Sequence, residues 1–285
     1  MHFIASRGLC LFLAVFCLSL ALQAGPGHAA EPEQQAPQQT QTISPEALFA
    51  TMLMNAEKGQ PQAMLTVGAL YEQGVGVPRH FTKAFEWYGK AANAGSMEAW
   101  HRLGACYEIG VGVMADTGKA LEAYTKAAAL GFTPARYKLA DMYLNGRGVA
   151  KDETKGFDYL TKAAEDGEVA AMFDMGQVFR NGLFGRKAEM EKARHWYAEA
   201  ANAGHAQSLL SLADMLKNGQ GGKPDPEGAL RWYLIGQKGG MSGEPLDAVI
   251  KELRRKIPTA RAQEMEKAAD AWIAARAKAQ EGQKQ

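Results

Sequence analysis

The chain has 285 residues, of which 47% are hydrophobic, and its 32 basic and 31 acidic side chains leave a formal net charge of +1. This is the composition of a folded protein, and without a basic surplus it argues against a nucleic-acid partner. Of the 3 cysteines only Cys106 lies beyond the first thirty residues, so a chain that has lost this leader cannot form an internal disulfide.

The first thirty residues have the pattern of a secretory signal peptide. Arg7 supplies a positive start, residues 9–22 are almost entirely apolar, and residues 25–27 (Gly-Pro-Gly) break a helix before small residues that suit cleavage. The apolar segment is shorter than the roughly 20 residues that a membrane-spanning helix needs, so an uncleaved anchor is the less favoured alternative. We therefore predict that residues 1–30 are removed, leaving no integral membrane segment. The protein would be periplasmic or, alternatively, secreted.

A short polar segment leads into the repetitive part of the chain. Residues 31–44 are rich in Gln, Pro and Glu and nearly free of large apolar side chains, which predicts a disordered linker. Ser44 followed by Pro45 is typical of a helix start, with a capping hydroxyl and a proline at the first helical position. Residues 45–59 then read as half of a repeat unit.

Five copies of one pattern follow between residues 61 and 240. The first three copies read A-x4-[GA]-x2-Y-x2-G-x-G-V and then K-[AG]-x6-A-A-x2-G, and the fourth and fifth keep this pattern in part. The closing glycines of the first three copies are 36 residues apart: Gly95, Gly131 and Gly167. In the first copy, residues 61–73 and 81–94 carry apolar side chains at helical spacing, and the glycine turn 74–77 separates them. Such a period predicts stacked units of two helices, helix A and helix B.

The end of the chain departs from the repeat. The fourth copy has one extra residue between its helices, and the fifth is degenerate, as expected of a terminal unit. We predict a solenoid over residues 45–240 and two amphipathic capping helices over residues 241–275. Residues 276–285 are predicted to be a flexible tail. Binding of the cap to an anionic membrane is a less favoured alternative, because acidic residues dilute its basic face.

These residues resemble the Sel-1-like repeat family, a branch of the tetratricopeptide superfamily, over about residues 61–240. The resemblance implies an all-α fold, a right-handed superhelical solenoid of antiparallel helix pairs with helix A lining the concave side. It also implies an adaptor or scaffold role, which in bacterial relatives serves envelope biogenesis, polysaccharide export, stress or host contact. A disulfide-rich branch with a cysteine pair in each unit has members assigned β-lactamase or penicillin-binding activity. This chain has no such pairs.

No catalytic, cofactor or metal site is predicted. The glycine turns follow helices, whereas a phosphate-binding loop follows a strand. The serines lack the S-x-x-K and G-x-S-x-G patterns of acyl-enzymes, and the histidines beyond the leader lack metal-ligand spacing. Cys106 reads as a packing residue rather than a reactive thiol. An enzyme that modifies cell wall or polysaccharide therefore remains only an alternative.

The unused positions of helix A are the predicted contact surface for a protein or peptide. The residue two positions after the inward-facing alanine of each helix A belongs to a row that is apolar to aromatic. The residue seven positions further along each helix A belongs to a second row, which runs from acidic to basic along the solenoid. A third row lies between these two. The predicted contact residues are Leu65, Glu72, His101, Glu108, Tyr137, Asp141, Phe173, Gln177, Arg180 and Lys217. We predict an exported envelope scaffold with Tyr137 and Phe173 as aromatic anchors. In the alternative interpretation, these two rings only pack between adjacent A helices.

Overall fold

The computed structural model describes residues 43–282. The predicted signal peptide and residues 31–42 of the predicted linker lie outside these described residues. Within them the chain consists of helices and carries no strand. The helices are α1 (Pro45–Glu57), α2 (Pro61–Gln73), α3 (Phe81–Asn93), α4 (Met97–Ile109), α5 (Thr117–Ala129), α6 (Thr133–Asn145), α7 (Glu153–Glu165), α8 (Val169–Asn181), α9 (Met190–Asn202), α10 (Ala206–Asn218), α11 (Pro226–Lys238), α12 (Glu244–Lys256) and α13 (Thr259–Gly282).

Ten of these helices form five pairs that pack in chain order. The A helices are α2, α4, α6, α8 and α10, and the B helices are α3, α5, α7, α9 and α11. Each B helix packs against its own A helix, and the first four B helices also pack against the A helix of the following repeat. The fold is therefore an all-α solenoid, as the repeat pattern predicts. We call the surface formed by the A helices the A-helix face.

The glycine turn between the paired helices has two separate structural roles. In the second repeat, Gly110 ends α4 in the left-handed region, at φ 76°, and its N–H donates to the carbonyl oxygen of Cys106 at 2.8 Å. Gly112 also has a positive φ of 73°, and a Cβ atom there would overlap the carbonyl oxygen of Phe81, at the start of the preceding B helix. The second glycine is therefore a contact between neighbouring repeats.

The two ends of the solenoid are covered by helices, and the C-terminal cover is longer than the sequence suggested. Helix α1 packs against α2, while α12 and α13 pack against α11, where the rings of Trp232 and Trp272 meet at 5.9 Å between centroids. Helix α13 continues to Gly282, so the prediction of a flexible tail from residue 276 is wrong for the described part. Arg276 donates to the carbonyl oxygens of Asn202, at 3.2 Å, and Ala203. These bonds hold the end of α13 against the end of α9.

None of the helices between residues 43 and 282 combines the length and the apolar character that crossing a bilayer requires.

Candidate functional site

A buried tyrosine on helix B is the common feature of most repeats. In the second repeat the ring of Tyr124 lies over Gly104, where a Cβ atom would come within 2.6 Å of ring carbons. The Tyr124 hydroxyl donates to Glu108 at 2.7 Å. Although burial alone raises the pKa of Glu108, this hydrogen bond and the charges of Lys138 and Arg147 hold the pKa below its ordinary value. The set of glycine, acid and tyrosine thus joins helix A to helix B.

Other repeats keep the tyrosine with the same or a related partner. Tyr88 in the first repeat lies over Gly68 and donates to Glu72. Tyr197 in the fourth repeat lies over Gly176, and Tyr233 in the fifth donates to Asp214. All four tyrosines are buried. Their rings therefore fill the space between paired helices in these repeats.

The third repeat replaces the whole set. At the positions of Gly104, Glu108, Ala120 and Tyr124 it carries Ala140, Leu144, Gly156 and Leu160. Two of the changes are in direct contact, because a Cβ atom at position 156 would lie 2.7 Å from Cγ and 2.8 Å from the backbone nitrogen of Leu144. Leucine is shorter than tyrosine and cannot fill the same space. Ala140, Leu144 and Leu160 consequently line a cavity of about 350 Å³, which we call the third-repeat cavity.

The loop of the fourth repeat forms the rim of the same cavity. This loop contains the one residue that the other repeats lack, and its Leu183 and Phe184 line the cavity. Phe184 adopts a φ of 52°, the only positive φ of a non-glycine residue in the described chain. A bulky residue in this region is strained, and such strain is concentrated at functional sites. Two separate departures from the repeat thus border one cavity.

Two carboxylates give the third-repeat cavity its charge. The Tyr137 hydroxyl donates to Asp174 at 2.8 Å, and burial raises the pKa of Asp174 from 3.8 to about 6. No lysine or arginine between residues 43 and 282 forms an ion pair with Asp174. Asp141 also lines the cavity but already pairs with Arg147. Asp174 is therefore a partly buried anion with one hydrogen bond and, among residues 43–282, no ion-pair partner.

Three predicted contact residues meet at this cavity: Tyr137, Asp141 and Gln177. Asp174 was not predicted, although it had a recognisable signal. The equivalent residues of the other repeats are neutral or basic: Thr66, Arg102, Lys138 and Ser211. Comparing the copies position by position would have identified Asp174 as the one acidic member.

Other predicted contact residues have structural roles. Leu65 is only 5% exposed and packs in the core, so its assignment to the contact surface is wrong. Phe173 packs against His205, at 4.5 Å between ring centroids, and against Tyr197 on helix B of its own repeat. Burial raises the pKa of Tyr197, and the positive charge of Arg180 partly offsets this rise. Lys217 forms an ion pair with Asp214, at 3.8 Å between its ammonium nitrogen and a carboxylate oxygen.

His101 is half-buried among aromatic rings. Its ring packs against Tyr124 and Phe132 at 5.3 and 5.2 Å between centroids, and its Nδ1 atom has no hydrogen-bond partner within the described residues. Burial, with the charges of Lys138 and Arg102, lowers the pKa of His101 from 6.5 to about 4.

Protonation of His101 should therefore destabilise the fold in acid. The unfolded chain binds this proton below about pH 6.5 and the folded chain only near pH 4, so the contribution of His101 to stability is complete above pH 6.5 and is lost as the pH falls toward 4. We expect His101→Phe to remove this pH dependence. Phenylalanine is the residue at the equivalent position of the fourth repeat, Phe173. Urea unfolding of both chains from pH 4 to 7 measures it, and parallel stability profiles would contradict the assignment.

Cys106 lies in the core, as its position on helix A suggested. Burial raises the pKa of its thiol to about 11. Between residues 43 and 282 no group of three or more His, Cys, Asp or Glu side chains is arranged to hold a metal ion.

Comparison with known proteins assigns the repeats. Five consecutive segments match the model of the Sel1 repeat, namely residues 61–96, 98–132, 133–168, 169–205 and 206–236. Together the segments cover more than half of the chain and follow its five helix pairs. No curated protein matches the chain significantly.

Several solved structures are similar. A Sel1 repeat protein from Oxalobacter formigenes is 28% identical with a TM-score of 0.66, over 72% of this chain and 58% of that one. The protective antigen c5321 of uropathogenic Escherichia coli, which displays an SLR fold, is 23% identical with a TM-score of 0.47, over 81% of this chain and 57% of that one. The immunity protein Pa5087 from Pseudomonas aeruginosa is 22% identical with a TM-score of 0.44, over 79% and 78%. The chain thus spans less than two thirds of the length of the first two.

Proposed function

Because the chain belongs to the Sel1 repeat family, whose members are generally non-catalytic scaffolds for protein interaction, we propose that it binds a partner protein or peptide across its A-helix face at the third-repeat cavity. The observation that carries this proposal is the coincidence of two departures from the repeat at one place. Leu160 leaves the space that a tyrosine occupies elsewhere, and the strained Phe184 borders that space. A cavity of about 350 Å³ is within the size range of ligand-binding pockets.

The coupled sequence changes support binding rather than a packing defect. An unfilled cavity in a repeat lowers stability, and tyrosine at position 160 with glycine at position 140 would fill it, as in the first two repeats. The third repeat instead carries four matching substitutions that keep the space open. A binding site for a partner accounts for a cavity that the sequence keeps open.

We further propose that the scaffold is exported and acts at the cell envelope, most simply in the periplasm. The support is the composition of residues 1–30, with a positive start, an apolar segment and small residues at the expected cleavage position. Release into the medium, where a host protein would be the partner, is the secreted form of the same proposal.

Filling the third-repeat cavity tests the proposed function. We define the filled-cavity variant as Ala140→Gly, Leu144→Glu, Gly156→Ala and Leu160→Tyr, which gives the third repeat the set of the second. The chain from residue 31 onward, in parent and variant form, is immobilised and exposed to envelope extract, and bound proteins are identified by mass spectrometry. We expect the parent to retain one or a few proteins that the variant loses, because the tyrosine occupies the binding space.

The control replaces an exposed residue of helix B, Glu122→Gln, and leaves the cavity open. Circular dichroism establishes that all three chains are equally helical. Retention of the same proteins by parent and control, with loss in the filled-cavity variant, supports the proposal. Equal retention by all three chains contradicts it and moves the contact surface away from the third repeat.

A further inference from the structure

Asp174 determines which chemical group suits the third-repeat cavity. Its carboxylate accepts the Tyr137 hydroxyl at 2.8 Å, and within residues 43–282 it has no cationic partner. Buried charges in proteins are normally paired, because one hydrogen bond does not replace the water that burial removes. The carboxylate is therefore left to be neutralised by something that enters the cavity.

Two cations of the third repeat are already engaged elsewhere. Arg147 pairs with Asp141, and a nitrogen of its guanidinium group also lies 3.6 Å from a carboxylate oxygen of Glu108. The ammonium nitrogen of Lys138 lies 3.1 Å from a carboxylate oxygen of Glu108. In the preceding repeat the position of Asp174 carries Lys138 itself. An acid therefore stands at this position only in the fourth repeat, where it borders the cavity.

The remaining walls suit a hydrocarbon chain. Leu144, Leu160 and Val178 line the cavity on three different helices, and Leu183 and Phe184 line it from the loop. A ligand that satisfies both the apolar walls and Asp174 has a flexible aliphatic stem with a terminal cation. Lysine combines these in one side chain, a four-carbon stem and a compact ammonium group.

We infer that the third-repeat cavity receives a lysine side chain from an extended segment of the partner, with the ammonium group donating to Asp174 and the stem against the leucines. This inference rests on the proposed function, since the lysine belongs to the bound partner. A charge-assisted bond to a partly desolvated carboxylate is among the stronger single contacts, so this lysine would anchor the segment. Gln177 also lines the cavity and presents a side-chain amide for the backbone of that segment, whereas the amide nitrogen of Asn145 already donates to Asp141.

A capped lysine tests the inference without the natural partner. Nα-acetyl-lysine methylamide is titrated into ¹⁵N-labelled chain, from residue 31 onward, and backbone amide shifts are followed by NMR. We expect saturable shifts confined to residues 137–145 and 174–184. The norleucine analogue, which keeps the stem but lacks the ammonium group, should bind at least about tenfold more weakly, because it has no charged donor for Asp174.

Two variants separate the charge from the space. Asp174→Asn keeps the cavity and should weaken lysine binding about tenfold or more, while the filled-cavity variant should abolish it. Asp158→Asn, an exposed acid on α7, is the matched control and should bind as the parent does. Equal binding of lysine and norleucine, unchanged binding by Asp174→Asn, or shifts elsewhere in the chain would each overturn the inference.

A last arm distinguishes a protein side chain from a free amine. If pentylammonium shifts the amide signals of residues 137–145 and 174–184 and the capped lysine does not, the third-repeat cavity binds a small amine and the inference fails. If the filled-cavity variant loses a captured protein and Asp174→Asn retains it, the proposed function is supported and the lysine inference fails. Binding of capped lysine in the pocket without any protein captured would instead contradict the proposed function.

Discussion

Gly112→Ala should lower the stability of the solenoid more than a glycine-to-alanine change at a position where the new Cβ atom meets no other atom. Two causes add. Alanine in the left-handed region costs roughly 1 to 2 kcal/mol, and its Cβ atom would overlap the carbonyl oxygen of Phe81 in the preceding repeat. Relieving a clash with backbone requires the two repeats to move apart, at a further cost of about 1 to 3 kcal/mol. Urea unfolding followed by circular dichroism measures the sum.

Gly131→Ala is the matched control for this change. Gly131 has a φ of 96°, also in the left-handed region, but a Cβ atom there would meet no atom within 4 Å. It therefore reports the backbone cost alone, and the difference between the two variants reports the contact between repeats. If both variants lose the same stability, the second glycine of the turn has no inter-repeat role.

The second large effect is expected at the tyrosine set of the second repeat. Tyr124→Leu should lower the free energy of unfolding by about 2 to 4 kcal/mol, because it opens a cavity and removes the hydroxyl from Glu108. Gly104→Ala alone should also destabilise, since its Cβ atom would come within 2.6 Å of the Tyr124 ring. The double variant reproduces Ala140 and Leu160, which coexist in the third repeat.

The two substitutions are therefore expected to compensate each other. The methyl group that Gly104→Ala introduces would occupy space that the shorter leucine vacates, so the double variant should lose less stability than the sum of the single variants. Residues in direct contact typically show a coupling of about 0.5 to 3 kcal/mol. The double-mutant cycle is measured by urea unfolding at pH 7. Strict additivity would contradict the account of the third-repeat cavity as a coupled replacement.

The repeat period made the architecture predictable. Glycines 36 residues apart and alanines at fixed offsets identify helix pairs, and the observed bounds of α2, Pro61–Gln73, agree with the predicted helix A of the first repeat. The cap Ser44 accepts from the N–H of Ala47, as the helix-start pattern suggested. Local signals sufficed here because backbone conformation at caps and turns is decided by nearby residues.

The contact surface was less predictable, for a geometric reason. Counting two residues from the inward alanine selects a row that packs against neighbouring helices at Leu65 and at Phe173. The cavity depends on the combined volumes of residues on three helices, Leu144, Leu160 and Val178, which no single row contains. Likewise the order of residues 276–282 depends on Arg276 reaching α9, a contact distant in sequence.

Hydrogen–deuterium exchange of the protein with and without its captured partner tests the central claim most directly. We predict that the partner adds protection in residues 137–145 and 174–184, including the amides of the Phe184 loop, and that the filled-cavity variant shows none. Added protection confined to the B helices or to α12 and α13 would contradict a binding site at the third-repeat cavity.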